Sequence, residues 1–148
     1  MPTRKTADLP LVLDTHVWIW MMDQQGRELS KIALDSIRRA SRNTVVYVSA
    51  ISIWEIAMLS SRNRVSLSVD CLAWVQRAMS APGMRIADLT PAIAIESTRL
   101  PGNPHGDPAD KIIMATARHL GARLVTCDGK ILSYADAERS LAVLDARP

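Results

Sequence analysis

Short apolar runs that end on or beside an acid or a small polar residue recur along this chain, and a stretch with helical spacing comes after most of them. LPLVLD, VVYVSA, MRIADL, ARLVTCD and LAVLDA are the runs. They are short and mostly continuous apolar runs, which reads as strands buried on both faces. A parallel neighbour needs a crossover, usually a helix, so strands alternating with helices imply a mostly parallel sheet with helices covering both faces. In such sheets ligands bind outside the carboxyl ends of the strands. The residues just after each run therefore matter most.

Between the runs, THVWIWMM reads as a helix with Thr15 as its cap, and DQQGRE as a turn. SKIALDSIRRASR is a second helix with Ile32, Ile37 and Ala40 on one side, and ISIWEIAMLSSR and CLAWVQRAMSA are two more. TPAIAIESTRL is a helix with Pro91 in its first turn; DPADKIIMATARHL is one closed by Gly121; ILSYADAE is a short one. RVSLSVD alternates like an edge strand or a hairpin. Residues 1–8 are polar and read as a tail, leaving 9–148 as one domain, a common domain size.

Composition excludes several classes. With 48% hydrophobic and 22% charged residues the chain is too apolar for disorder. No apolar run approaches the ~20 residues of a membrane span, and MPTRKTADLP lacks a hydrophobic signal core, so no membrane partner is expected. Cys71 and Cys127 sit in apolar settings without His or Cys at zinc spacing; they read as small buried hydrophobes in a reducing cytoplasm. A net charge of +3 favours a polyanionic partner. Four Trp, two Tyr and no Phe argue against an aromatic platform for stacked bases.

Four acids fall where the sheet would place a ligand. Asp14 closes the first run, Asp128 closes the fourth, Glu55 lies one turn into the helix after the second, and Asp110 opens the helix leading to the fourth. Each has an explanation without chemistry. Asp14 would cap the next helix, Ser52-Ile-Trp-Glu55 fits a capping box, Asp107-Pro-Ala-Asp110 puts acids at N-cap and N3, and Asp128-Gly129 is a turn dipeptide. The helical faces weaken these explanations: Glu55 shares a side with Ile51, Met58 and Leu59, and Asp110 with Ile113, Met114 and Ala117, so both acids point to the lip of the core. Acids rarely face inward without a partner.

Two carboxylates about 4 Å apart repel by roughly 4 kcal/mol at an effective dielectric of 20, so a cluster of four requires protons or cations. A hard cation with oxygen ligands, Mg²⁺ or Mn²⁺, is the simplest neutraliser. Such clusters suit hydrolytic phosphoryl transfer, where metal activates water and stabilises charge on the phosphate. The chain has no G-x-x-x-x-G-K-[ST], G-x-S-x-G, H-E-x-x-H or G-x-G-x-x-G motif to suggest other chemistry. Ser49 and Thr126, beside strand ends, are candidates to steady a carboxylate or a metal-bound water through hydrogen bonds; helix capping by Ser49 and burial of Thr126 are the alternatives. His16, His105 and His119 suggest no metal site by spacing.

LVLDTHVWIW, VSAISIWEIAML, HGDPADKIIMATAR and LVTCDGKI, in this order, resemble the four acidic blocks of PIN-domain ribonucleases, especially VapC-type toxins of bacterial toxin-antitoxin pairs. The resemblance runs from about Leu11 to Val143. It implies a PIN-like, Rossmann-like three-layer α/β/α sandwich with a central sheet of four to five strands, and Mg²⁺- or Mn²⁺-dependent cleavage of RNA. It also implies a cognate antitoxin protein and a homodimer. Carried over block by block, Asp14, Glu55, Asp110 and Asp128 are the catalytic acids, with Asp14 and Asp110 as direct metal ligands and Glu55 and Asp128 completing or orienting the shell. Asp107 is the competitor for the third position and reads as the helix cap. Lys111 stands where relatives often carry Arg, and thirteen residues precede the first acid rather than a few.

Arg62, Arg64 and Lys111, with Arg38, Arg39 and Arg42, are candidates for phosphate contacts, against a background of ordinary surface solubility. A haloacid-dehalogenase-like enzyme would show Asp-x-Asp where this chain has Asp14-Thr15-His16, and a receiver would show adjacent acids there. The remaining alternative is a non-catalytic PIN-like module that grips RNA or protein, which the presence of all four acids disfavours.

Overall fold

The structure is a computed structural model and describes residues 9–23 and 29–148. The expected tail over 1–8, and the expected turn over 23–28 apart from Asp23, lie outside those residues. Among the described residues the elements run in the order β1 (Leu11–Leu13), α1 (Thr15–Asp23), α2 (Lys31–Asn43), β2 (Val46–Ser49), α3 (Ala50–Ser61), α4 (Cys71–Met79), β3 (Met84–Ala87), α5 (Pro91–Glu96), α6 (Pro108–Leu120), β4 (Arg123–Thr126), α7 (Gly129–Glu138) and β5 (Val143–Asp145).

The strands form one five-stranded, wholly parallel sheet in the order β3-β2-β1-β4-β5. β1 lies between β2 and β4, with Leu13 opposite Val48 on one side and Val125 on the other. After β3 the chain crosses to the far side of β1, so the strand order reverses between β1 and β4. That is where an open α/β sheet leaves a crevice.

Strand alternation divides the core. Leu11 and Leu13 face Val17, Trp18, Ile37, Ile56 and Trp74 in one layer, while Val12 faces Ile93, Ile113, Met114 and Ile131 in the other. Each fully buried aliphatic side chain contributes about 1.5–3 kcal/mol, so helices on both faces make the three-layer sandwich. Among the described residues no helix is long and apolar enough to cross a membrane.

Several local readings change. RVSLSVD forms an irregular, bent loop and no strand: Val65, Leu67 and Val69 alternate because they anchor that loop on the first core layer. On α2 the inward residue is Ala33, with Ile37 and Ala40, whereas Ile32, one position out of phase, is 71% exposed. Thr15 is the first helical residue rather than a cap, since Asp14 accepts its N–H at 2.8 Å. α3 is capped by Ser49, so Ser52 lies inside the helix and the capping box does not form. Gly129 opens α7 rather than turning the chain. Cys71 and Cys127 are only half-buried.

Candidate active site

Asp14 comes directly after β1 and is tied to the neighbouring strand twice. Its N–H donates to the Val125 carbonyl at 2.9 Å, and its Oδ2 accepts the Thr126 hydroxyl at 2.7 Å. Oδ1 is occupied by the Thr15 N–H. The side chain is buried, and burial is the main force raising its pKa; the bonds from Thr126 and Thr15 oppose the rise. Thr126 completes its valence by accepting the Asp128 N–H at 3.0 Å, so one hydroxyl fixes two acids.

Glu55, on the second turn of α3, is held from α1. The Thr15 hydroxyl donates to Glu55 Oε1 at 2.6 Å and lies 2.8 Å from the Ser52 hydroxyl. Thr15 has a single hydroxyl proton, so with Glu55 ionised the Ser52 hydroxyl must be the donor in that pair. Burial first, and then Asp14 and Asp107, raise the Glu55 pKa, with the Thr15 bond acting against them.

Asp110 occupies the first turn of α6, behind Asp107, which caps the helix by accepting the Ala109 N–H at 2.9 Å. Among the described residues no side chain donates to Asp110. Burial, and after it repulsion from Asp14, Asp107, Glu55 and Asp128, pushes its pKa up to about 7. Asp128 caps α7 by accepting the Lys130 N–H at 2.8 Å.

These four acids and Asp107 line one cleft of about 420 Å³, together with Thr15, His16, Trp20 and Cys127. Among the described residues no Lys or Arg lines it. Among the same residues no three acidic, His or Cys side chains converge to ligand distance. A hard divalent cation nonetheless fits this set. The available donors are carboxylate oxygens, those of Asp110 without any side-chain donor among the described residues; burial and neighbouring acids raise the pKa of Asp14, Glu55 and Asp110, which a cation would offset, and Mg²⁺ keeps several waters while using one or two carboxylates.

Of the supporting residues, Thr126 is in place and Asp107 is the cap. Ser49 instead caps α3, its Oγ accepting the Ile51 N–H at 3.2 Å. Arg62 and Arg64 are exposed beyond the end of α3 and line no part of the cleft; Lys111 lines a neighbouring one. Thr15 and Ser52 escaped the sequence reading as partners of an acid. Their signals were a hydroxyl directly after Asp14 and another three residues before Glu55, but both also fit helix starts. His16 is exposed at the mouth of the cleft, and its ring centroid lies 5.6 Å from that of Trp20, which lines the cleft while packing against the first core layer.

A family profile described as the PIN domain matches residues 11–137. The chain belongs to the PIN-domain family. All four acids of this PIN domain, with Thr15, Ser52 and Thr126, fall inside the matched span. It is 37% identical over 124 residues to ribonuclease VapC22 of Mycobacterium tuberculosis (strain ATCC 25618 / H37Rv), covering 84% of this chain and 91% of the relative. Among solved structures it is similar to VapBC2 from Rickettsia felis bound to a DNA fragment from their promoter, with a TM-score of 0.66, 13% identity, and 93% and 99% of the two chains covered. DNA-bound VapBC from Salmonella typhimurium gives 0.63 at 20% identity, over 93% and 98%. At these identities the structural likeness is one of fold, and it agrees with the α/β/α sandwich expected for the family.

Proposed function

We propose that this PIN domain is a metal-dependent endoribonuclease and the toxin of a bacterial toxin-antitoxin pair. The observation that carries the reading is the single cleft into which Asp14, Glu55, Asp110 and Asp128 converge from four separate blocks, with no Lys or Arg among the described residues lining it to neutralise them. The relative named a ribonuclease supports RNA as the substrate class, and the toxin-antitoxin complexes among the structural relatives support an antitoxin partner.

Mg²⁺ or Mn²⁺ is the ion this donor set suits, with Asp14 and Asp110 as ligands and Glu55 and Asp128 completing or orienting the set. When bound, such an ion supplies Lewis-acid charge to a phosphodiester and eases the ionisation of water. The protein's own residues prepare for it. Thr126 fixes Asp14 against β4, and Thr15, backed by Ser52, aims Glu55. A cation would favour the ionised form of Asp110, whose pKa burial and the neighbouring acids otherwise push up to about 7.

Large apolar side chains left exposed, Trp54 on α3 and Leu72 on α4 among them, give an antitoxin or a second copy in a homodimer something to cover. A cytoplasmic location belongs to the same reading.

The test is cleavage of labelled RNA by purified protein with Mg²⁺, Mn²⁺ or EDTA, beside Asp14→Asn and Asp110→Asn prepared identically. Metal-dependent cutting lost in both folded variants is the expected result. Equal cutting by all three proteins would expose a contaminating nuclease, and no cutting of any RNA would favour a non-catalytic binding module.

A further inference from the structure

A second cleft, of about 260 Å³, lies beside the acidic one, and the two share Asp107, Asp110 and Asp128 as a common wall. Its outer side carries the opposite charge. Lys111, half-buried on the first turn of α6, and Lys130, exposed on the first turn of α7, both line it. Among the described residues neither ammonium group lies within 4.0 Å of a carboxylate, although three carboxylates line the same cleft. Their charge is therefore not spent on an ion pair. The cleft also has an apolar side: the half-buried Pro104 and Tyr134 line it above the buried Met114 and Ile131, and Tyr134 is pinned by donating its hydroxyl to the Pro101 carbonyl at 2.6 Å.

A phosphate is held by cationic or neutralised ground and repelled by bare carboxylates. The acidic cleft offers that only where a cation sits among the acids. The α6–α7 cleft offers it through side chains, along with an apolar surface suited to a sugar or base.

We infer that the RNA strand crosses the Asp107–Asp110 wall, with the phosphate next to the scissile one held by Lys111 and Lys130 in the α6–α7 cleft. Arg62 and Arg64, which line neither cleft, are off this path. The inference rests on the ribonuclease reading above.

The test is fluorescence anisotropy with a labelled, hydrolysis-resistant phosphorothioate single-stranded RNA in Mg²⁺, over a range of salt. Lys111→Ala with Lys130→Ala is expected to weaken binding about tenfold and to lower the slope of log affinity against log salt by about 0.7 per lysine. Replacing both by Arg should restore binding, Lys130→Glu should worsen it, and Mn²⁺ titrations of the same variants should match wild type. Arg62→Ala with Arg64→Ala should bind as wild type does.

Unchanged affinity and slope in the double-lysine variant, with wild type binding RNA, would overturn the path and leave the nuclease reading intact. So would a loss confined to the arginine variant, or a loss of Mn²⁺ binding in the lysine variant. If wild type binds no RNA and cuts none, the ribonuclease reading falls and takes the path with it.

Discussion

Thr126 carries more of the site than its size suggests, because its one hydroxyl donates to Asp14 and accepts from the Asp128 backbone. Thr126→Val keeps the shape and removes both bonds. It should cost about 1–3 kcal/mol in urea melts, since a buried carboxylate loses a donor, and should weaken Mn²⁺ binding; Thr126→Ser should recover much of both. Asp110 gives the pH dependence. The folded, metal-free protein holds this proton up to about 7, whereas an unfolded chain releases it near 3.8, so between those values the fold binds more protons than the unfolded chain. Its stability therefore falls as pH rises through that interval. Asp110→Asn should flatten that part of the stability curve in EDTA and make the protein more stable than wild type above about 7, while converging with it below 3.8. The positions of the four acids were legible because strand ends and helical faces show in one dimension. The partners of Thr15, Ser52 and Thr126 were not, because a hydroxyl's neighbour is decided by packing between distant elements.

Among the elements, α6 bears Asp110 and is closed at both ends. Asp107 caps its start, and Gly121 ends it in a left-handed turn at φ 62°, with the Ala122 N–H returning to the Ala117 carbonyl at 2.9 Å. A Cβ at Gly121 would meet nothing, so Gly121→Ala should cost only the backbone strain, about 1–2 kcal/mol. Gly83, at φ +80° before β3, differs: a Cβ there would stand 2.2 Å from the Ser41 carbonyl oxygen of α2. Gly83→Ala combines strain with a backbone collision and should cost about 3 kcal/mol or more. Guanidinium melts of the two variants separate the cases. The strong periodicity of α6 made it plain in the sequence. The loop over 63–70 misled because a polar–apolar alternation marks burial on one side and does not reveal whether a ladder partner exists.

For the molecule as a whole, the proposed ion site would couple cation binding to folding. A cation that binds the folded state alone adds about 2.7 kcal/mol at a hundred times its dissociation constant. Mn²⁺ should therefore raise the thermal midpoint of wild type and leave Asp14→Asn almost unmoved, as calorimetry with and without EDTA would report. The reversal of strand order has a consequence in time. Asp14 leaves the ribosome ahead of the other three acids, and the hydroxyl that fixes it lies 112 residues further along the chain. At a synthesis rate of about 10 residues per second the first acid waits some ten seconds for its partner. Until β4 has emerged and slid in beside β1, the growing chain carries its carboxylates apart, and whatever the finished cleft does to RNA it cannot yet do to the message still being read.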